Sequence, residues 1–143
     1  MDNEALSILI MDVDNFKTIN DTFGHAAGDE IIREIGNIIK TSFRKTDIPG
    51  RLGGEEFAVV LRNASLDEAE MVAEKVRNNI ACRKVAYGKH VLSFTVSIGV
   101  AGVQDNRNDT SDLEDILKMA DDALYKAKAK GRNCVVISRP EDI

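Results

Sequence analysis

Two acidic stretches of the sequence could do chemistry together. Asp12 stands where the apolar run Ala5-Leu-Ser-Ile-Leu-Ile-Met11 stops, and Asp14 follows two residues later. A carboxylate at the end of a buried strand is well placed to hold Mg²⁺. Hard cations take oxygen ligands, and Mg²⁺ commonly uses one or two carboxylates plus phosphate. The second stretch is Gly53-Gly-Glu-Glu-Phe57. Its glycines leave backbone N–H groups open to a phosphate, and two acids follow at once. On a strand, Glu55 and Glu56 point to opposite faces, so only one shares the side of a given ligand. Each stretch alone is more often an ordinary turn or hairpin. Together they could meet over one metal. Lys17, Lys128 and Arg132 are candidate cations for a phosphate, although by themselves they read as solvated surface charge. The usual phosphate grips are missing: there is no G-x-x-x-x-G-K-[ST], and no G-x-G-x-x-G follows a strand.

The elements that must position these residues are legible from apolar spacing. The run at 5–11 suits a buried strand. Phe16, Ile19 and Phe23 mark one face of a short helix, and residues 26–43 an amphipathic one, after which Pro49 and Gly50 interrupt any long element. Gly53-Gly54 separates two strand-like runs, 47–52 and 55–61, and reads as a hairpin tip where both residues can take positive φ. Ser65 and Glu68 form a capping box ahead of the stripe Ala69, Val72, Ala73, Val76 and Ile80. Tyr87-Gly88-Lys89 reads as a turn, and Leu92 to Val100 alternate as one strand. A polar loop spans 104–110. Ser111 and Glu114 repeat the capping spacing, and a helix from Leu113 to Ala127 ends near Gly131. Residues 134–137 form a closing strand. This order predicts an α+β domain with a mainly antiparallel sheet covered by helices.

At 143 residues the chain suits one domain, 1–143, and a chain this long buries about 70% of its unfolded surface without staples. With 43% hydrophobic and 30% charged residues it is not a disordered tract. A net charge of −5 argues against a general DNA or RNA coat, while leaving room for a local basic site. Two cysteines and two histidines offer neither a disulfide framework nor a zinc spacing. No apolar run approaches a membrane span and no signal pattern opens the chain, so a cytoplasmic, reducing setting is expected. A longer parent attached to a membrane upstream stays open.

The motifs then combine. Asp12-Val-Asp-Asn-Phe-Lys-Thr-Ile-Asn-Asp21, Gly24-His25, Gly28-Asp29, Arg51-Leu-Gly-Gly-Glu-Glu-Phe57, Ser97-Ile-Gly-Val100, Ala120-Asp-Asp-Ala-Leu-Tyr-Lys-Ala-Lys128 and Gly131-Arg-Asn133 together resemble the GGDEF family of diguanylate cyclases, in order and over about residues 5–137. Glu55 matches the family's Glu alternative to Asp. The resemblance implies a fold similar to nucleotidyl cyclases and the polymerase palm, with a ferredoxin-like core. It implies condensation of two GTP into cyclic di-GMP with release of two pyrophosphates. It also implies a homodimer, since each protomer would hold one GTP.

Carried onto this chain, the resemblance makes Asp12, Glu55 and the Val13 carbonyl ligands of two Mg²⁺ ions, with Mn²⁺ as a substitute, and Glu56 a second acidic contributor. Glu55 would also act as general base, and Lys17 would offset charge on the phosphates. Lys128 and Arg132, read as one helical turn apart, would clamp the β and γ phosphates, which Gly53 and Gly54 let the backbone approach. Asn20 and Asp29, with Phe16 and His25 nearby, would form the guanine site. Arg44-Lys-Thr-Asp47 resembles the family's inhibitory RxxD site for cyclic di-GMP, where Arg44 would grip phosphate or guanine and Asp47 a guanine edge, with a basic residue of the following helix, Lys75 or Arg77, in support. Family members usually open with a helix and a D-x-L-T-x-L-x-N-R segment. This chain starts only a few residues before its first strand, so a piece of a longer protein or a natural truncation is expected. The alternative function is a catalytically silent module that binds cyclic di-GMP or GTP as a regulatory receptor.

Overall fold

In the computed structural model, which describes residues 5–103 and 113–139, the chain runs β1 (Leu6–Val13), α1 (Phe16–Phe23), α2 (His25–Ser42), β2 (Ile48–Arg51), β3 (Glu56–Arg62), α3 (Leu66–Ala81), β4 (Val85–Tyr87), β5 (His90–Leu92), β6 (Val96–Val103), α4 (Leu113–Ala129) and β7 (Val135–Ile137). The expected polar loop at 104–110 and the cap at Ser111 lie outside the described residues. β1 is the middle strand of a five-stranded sheet ordered β2-β3-β1-β6-β7. It pairs antiparallel with β3 and β6, β2 pairs antiparallel with β3, and β6 and β7 run parallel. This is the expected α+β arrangement, a split β-α-β core with helices on both faces. Among the described residues no helix is long and apolar enough to cross a membrane.

Burial from both sides explains why β1 is apolar almost throughout. Leu9, Met11 and Val13 pack with Ile31, Ile35 and Ile38 of α2 and with Ala69, Ala73, Val76 and Ile80 of α3. Ile8 and Ile10 point the other way, onto Ile116, Ala120 and Leu124 of α4. Each large side chain so buried contributes about 1.5–3 kcal/mol. Asp12 continues the Ile8, Ile10 alternation, which carries its carboxylate to the α4 side of the sheet. α4 lies very close to β6. A methyl group built on Gly99 would overlap the backbone O of Ala120 and the backbone N of Leu124.

The Leu92–Val100 alternation is not one strand. Leu92 ends β5, which forms a separate hairpin with β4 through Gly88 at φ +59°, and β6 begins at Val96. Leu92 and Phe94 still bury their side chains in the α2/α3 core, so the burial alternates although the ladder does not continue. Pro49 and Gly50 do not interrupt the sheet but lie within β2, exposed along its whole length at the sheet edge. An edge is where a residue without an N–H is tolerated. The capping box forms as expected: Glu68 N donates to Ser65 Oγ at 3.1 Å, and Ser65 N donates to Glu68 Oε1 at 2.9 Å.

Candidate functional site

The ladder between β1 and β3 sets Asp12 directly opposite Glu56. Asp12 is 8% exposed. Its Oδ2 lies 3.0 Å from Lys128 Nζ of α4, while its buried Oδ1 has no partner among the described residues. Burial pushes the Asp12 carboxyl above its ordinary range. Lys128 opposes that shift, and Asp14 and Asp121 add to it. Glu55 is raised by burial and then by Asp12, again opposed by Lys128. Glu56 is raised by burial and then by Asp121 and Asp12. Glu55 stands before the first residue of β3, in the turn, so strand alternation does not divide it from Glu56. Both acids feel Asp12, contrary to the expectation from the sequence. Val13 N donates to Glu55 O at 3.3 Å and ties the turn to the end of β1.

Among the described residues no group of three or more His, Cys, Asp or Glu side chains is gathered as a metal cage. Mg²⁺ does not require one, because it keeps water and phosphate in its shell and takes only one or two carboxylates. A buried, unpartnered carboxylate oxygen flanked by two crowded acids is an all-oxygen donor set that suits a hard divalent cation. Asp14 is otherwise engaged. It is buried and accepts from Thr95 Oγ1 at 2.6 Å, Ser97 Oγ at 2.6 Å and Asn133 N at 3.0 Å. Its part is to join the end of β1 to β6 and to the segment after α4.

The Gly53-Gly54 turn departs from its expected backbone. Neither glycine is among the described residues with positive φ, and nothing lies within 4 Å of a methyl group built on either. The turn is held instead by Arg51. Its Nε donates to Gly53 O at 3.0 Å and its Nη2 to Gly54 O at 2.6 Å, with the guanidinium carbon 6.0 Å from the Phe57 ring centre. Arg51 belongs to the motif but does not announce this duty. The signal was an Arg two residues ahead of two glycines, with a fork that fits two carbonyls.

On α1, Asn20 and Phe16 meet α2 at Gly28. A methyl group there would overlap Asn20 Oδ1 and come within 2.9 Å of Phe16 Cζ. Asn20 Oδ1 is buried and has no partner among the described residues. Lys17, His25 and Asp29 stand exposed on α1 and α2. Lys128 and Arg132 are not one helical turn apart. α4 ends at Ala129, and Arg132 lies beyond it with φ +66°.

Arg44 and Asp47 are bound to each other. Arg44 Nη2 donates to Asp47 Oδ1 at 3.0 Å and to Arg62 O at 2.8 Å, and Arg44 N donates to Asp47 Oδ2 at 2.8 Å. The Asp47 side chain is 3% exposed and that of Arg44 is 54% exposed. Asp47 is thus the anchor of the guanidinium rather than the open guanine edge the motif suggested. Arg44 borders a cavity of about 170 Å³, and Lys75 a neighbouring one of about 370 Å³, which share Ser42 and Val72 as walls.

The chain matches the model of the family described as "Diguanylate cyclase, GGDEF domain" over residues 1–134. It is 43% identical over 136 residues to diguanylate cyclase A of Treponema denticola, covering 95% of this chain and 36% of that protein. It is 43% identical over 135 residues to the response regulator PleD of Caulobacter vibrioides, covering 93% of this chain and 29% of PleD. The chain thus spans about a third of the length of these relatives. Its structure is similar to the active GGEEF domain of a diguanylate cyclase from Vibrio cholerae, with a TM-score of 0.86, 35% identity and coverage of 95% of this chain and 84% of that one. It is also similar to the GGDEF domain of DgcB from Caulobacter crescentus in complex with c-di-GMP, with a TM-score of 0.87, 29% identity and coverage of 94% and 78%. With matched sequence and matched fold both running through nearly all of it, this chain belongs to the GGDEF-domain family of diguanylate cyclases.

Proposed function

We propose that this chain is the catalytic part of a diguanylate cyclase that joins two GTP into cyclic di-GMP and releases two pyrophosphates. The observation that carries this reading is the buried, unpartnered Asp12 Oδ1 at the end of β1, on a carboxylate opposite Glu56 that both Glu55 and Glu56 feel and whose other oxygen pairs with Lys128. The 3′-oxygen of each GTP attacks the α-phosphorus of the other. A new P–O bond forms there as the bond to the β-phosphate oxygen breaks, and pyrophosphate leaves with the electron pair. Two bound Mg²⁺ ions, held by Asp12, Glu55 and the Val13 carbonyl with Glu56 in support, would supply charge neutralisation at the attacking and leaving oxygens, and Mn²⁺ would substitute. We assign Glu55, crowded upward by burial and Asp12, to accept the hydroxyl proton. Lys128 would exchange its ion pair with Asp12 for one with the phosphates as substrate enters. Arg132 and Lys17 would offset the remaining phosphate charge, and Gly53 and Gly54, open on their outer side, would let backbone N–H groups approach it.

Each protomer would present one GTP, so two copies must meet face to face. The test is to incubate concentrated protein with GTP and Mg²⁺ and identify the product by mass. Cyclic di-GMP with two equivalents of pyrophosphate is expected, and its absence at every protein concentration would overturn the reading.

Asn20 and Asp29 would read guanine, Asp29 accepting from N1–H and the exocyclic amine. Adenine would leave that carboxylate facing a lone pair. Gly28→Ala is expected to push the Asn20 amide aside and narrow the preference for GTP over ATP by about tenfold or more, the scale of a buried polar group left unpaired. Competition of the two nucleotides for the variant measures it, and an unchanged preference would remove Asn20 from base recognition.

Product inhibition is the other part of this reading. Cyclic di-GMP at Arg44 and Lys75 would favour a dimer arrangement that separates the active sites. Because the Arg44 fork already holds Asp47, product must share that guanidinium with its anchor. Arg44→Ala is expected to weaken cyclic di-GMP affinity by about 1.5–3 kcal/mol and to lower the melting temperature, since Asp47 loses its ion pair. Initial rates before product accumulates should stay at the parent level. Calorimetric titration of cyclic di-GMP decides it, and unchanged affinity would place the inhibitory site elsewhere.

A further inference from the structure

The segment after α4 holds three successive residues at positive φ: Gly131 at +124°, Arg132 at +66° and Asn133 at +48°. Glycine adopts this backbone freely and asparagine tolerates it, but arginine does so only at a conformational cost. Several bonds over-determine the turn. Arg132 N donates to Ala127 O at 3.1 Å and Gly131 N to Lys128 O at 3.3 Å, the two bonds of a left-handed helix cap. Asn133 N donates to the buried Asp14 carboxylate at 3.0 Å. Asn133 Oδ1 accepts from Arg77 Nη1 of α3 at 2.8 Å, and Arg77 is itself braced by Glu74, which accepts from its Nε at 2.7 Å. All of this converges on residues flanking Arg132, which is exposed and makes no ion pair among the described residues. A strained backbone that presents an unpartnered cation is the kind of geometry a fold keeps where the cation has work to do.

We propose that Asn133, locked by Arg77 from α3, is a positioning residue that aims Arg132 at the triphosphate of the bound nucleotide; this rests on the cyclase reading above. Asp14 fixes the Asn133 backbone, and Arg77 fixes its side chain. The turn is therefore pinned from the sheet on one side and from a helix across the sheet edge on the other. The competing explanation is that Asn133 is present only because its backbone must be left-handed. Glycine separates the two, since it takes that backbone at least as readily and cannot bind Arg77.

The experiment measures initial rates against GTP concentration, with melting temperature, for Asn133→Gly, Arg77→Ala and the double variant. Each single change is expected to raise KM for GTP about tenfold, the size of one lost charge-assisted hydrogen bond, with kcat within about twofold and a parent-like melting temperature for Asn133→Gly. The double variant should be no worse than either single one, because both remove the same contact. A parent-like KM for Asn133→Gly, or additive losses in the double variant, would overturn the proposal. Should Arg77→Ala not fold, Arg77→Gln keeps the helix and loses the reach, and the same outcomes apply. If the parent itself makes no cyclic di-GMP, the cyclase reading fails on its own. Titration of the same proteins with inorganic tripolyphosphate then decides the positioning role. About tenfold weaker binding in both single variants upholds it, and equal binding overturns it.

Discussion

Asp12→Asn is expected to slow cyclic di-GMP formation by at least about 10²–10³-fold, the scale of losing one preorganised electrostatic group, while leaving the protein at least as heat-stable as the parent. The stability half follows from the direction of the shift. A carboxyl raised in the folded state holds its proton more tightly there than in the unfolded chain. Its favourable contribution is therefore present at acid pH and is lost as pH rises from the ordinary carboxylate range through the raised value. At neutral pH the ionised Asp12 is a cost, partly offset by Lys128, and the neutral amide removes it. Glu55 and Glu56 are raised in the same sense. Mg²⁺ at neutral pH should therefore raise the parent's melting temperature and do so less for Asp12→Asn. Turnover at the parent rate in the variant would sink the metal site, and so would a Mg²⁺ response that ignores Asp12.

Much of this arrangement is readable from residue order. The run ending at Met11, the isoleucine stripe of α2 and the box at Ser65 and Glu68 each name their element, because local period and local hydrogen bonding agree with the tertiary outcome. The readings that failed depend on contacts distant in sequence. Leu92 and Phe94 alternate as a strand would, yet they fill the core from a hairpin and a link. Glu55 and Glu56 cannot be sorted by face until the first residue of β3 is known. Asp14 is given no task by its place two residues after Asp12, and only the meeting of β1, β6 and the 133 segment shows what its oxygens hold. Asp47 reads as an open edge until Arg44 folds back on it. Arg51 and Asn133 stand in plain view within motifs, but what they hold is backbone brought to them by the fold.

Gly99→Val is expected to prevent accumulation of folded protein, and Gly99→Ala to lower the melting temperature by about 5–10 °C, as overpacking by one methyl costs about 1–3 kcal/mol or more in a chain of this size. The obstacle is helix backbone, the O of Ala120 and the N of Leu124, and not a side chain that could rotate away. To admit the methyl, α4 must move as a body, and it carries Lys128 away from Asp12. The alanine variant should therefore lose turnover beyond its fraction unfolded. Gly53→Ala is the matching control. It has open space and no positive φ, so its melting temperature should equal the parent's. Thermal melts of the three proteins check this, and a stable Gly99→Val would mean that α4 sits farther from the sheet.

The exposed four-residue β2 has a bearing on solution behaviour. A sheet edge is a row of backbone groups open to a neighbour, a template along which copies can join edge to edge. Here Pro49 withholds an N–H from that row, the strand is only four residues long, and Arg51 brings charge to its end. Copies that collide along β2 have no continuous ladder to extend. β2 is thus a poor template for a further strand, which leaves the protein less prone to join copy to copy along this edge as its concentration rises.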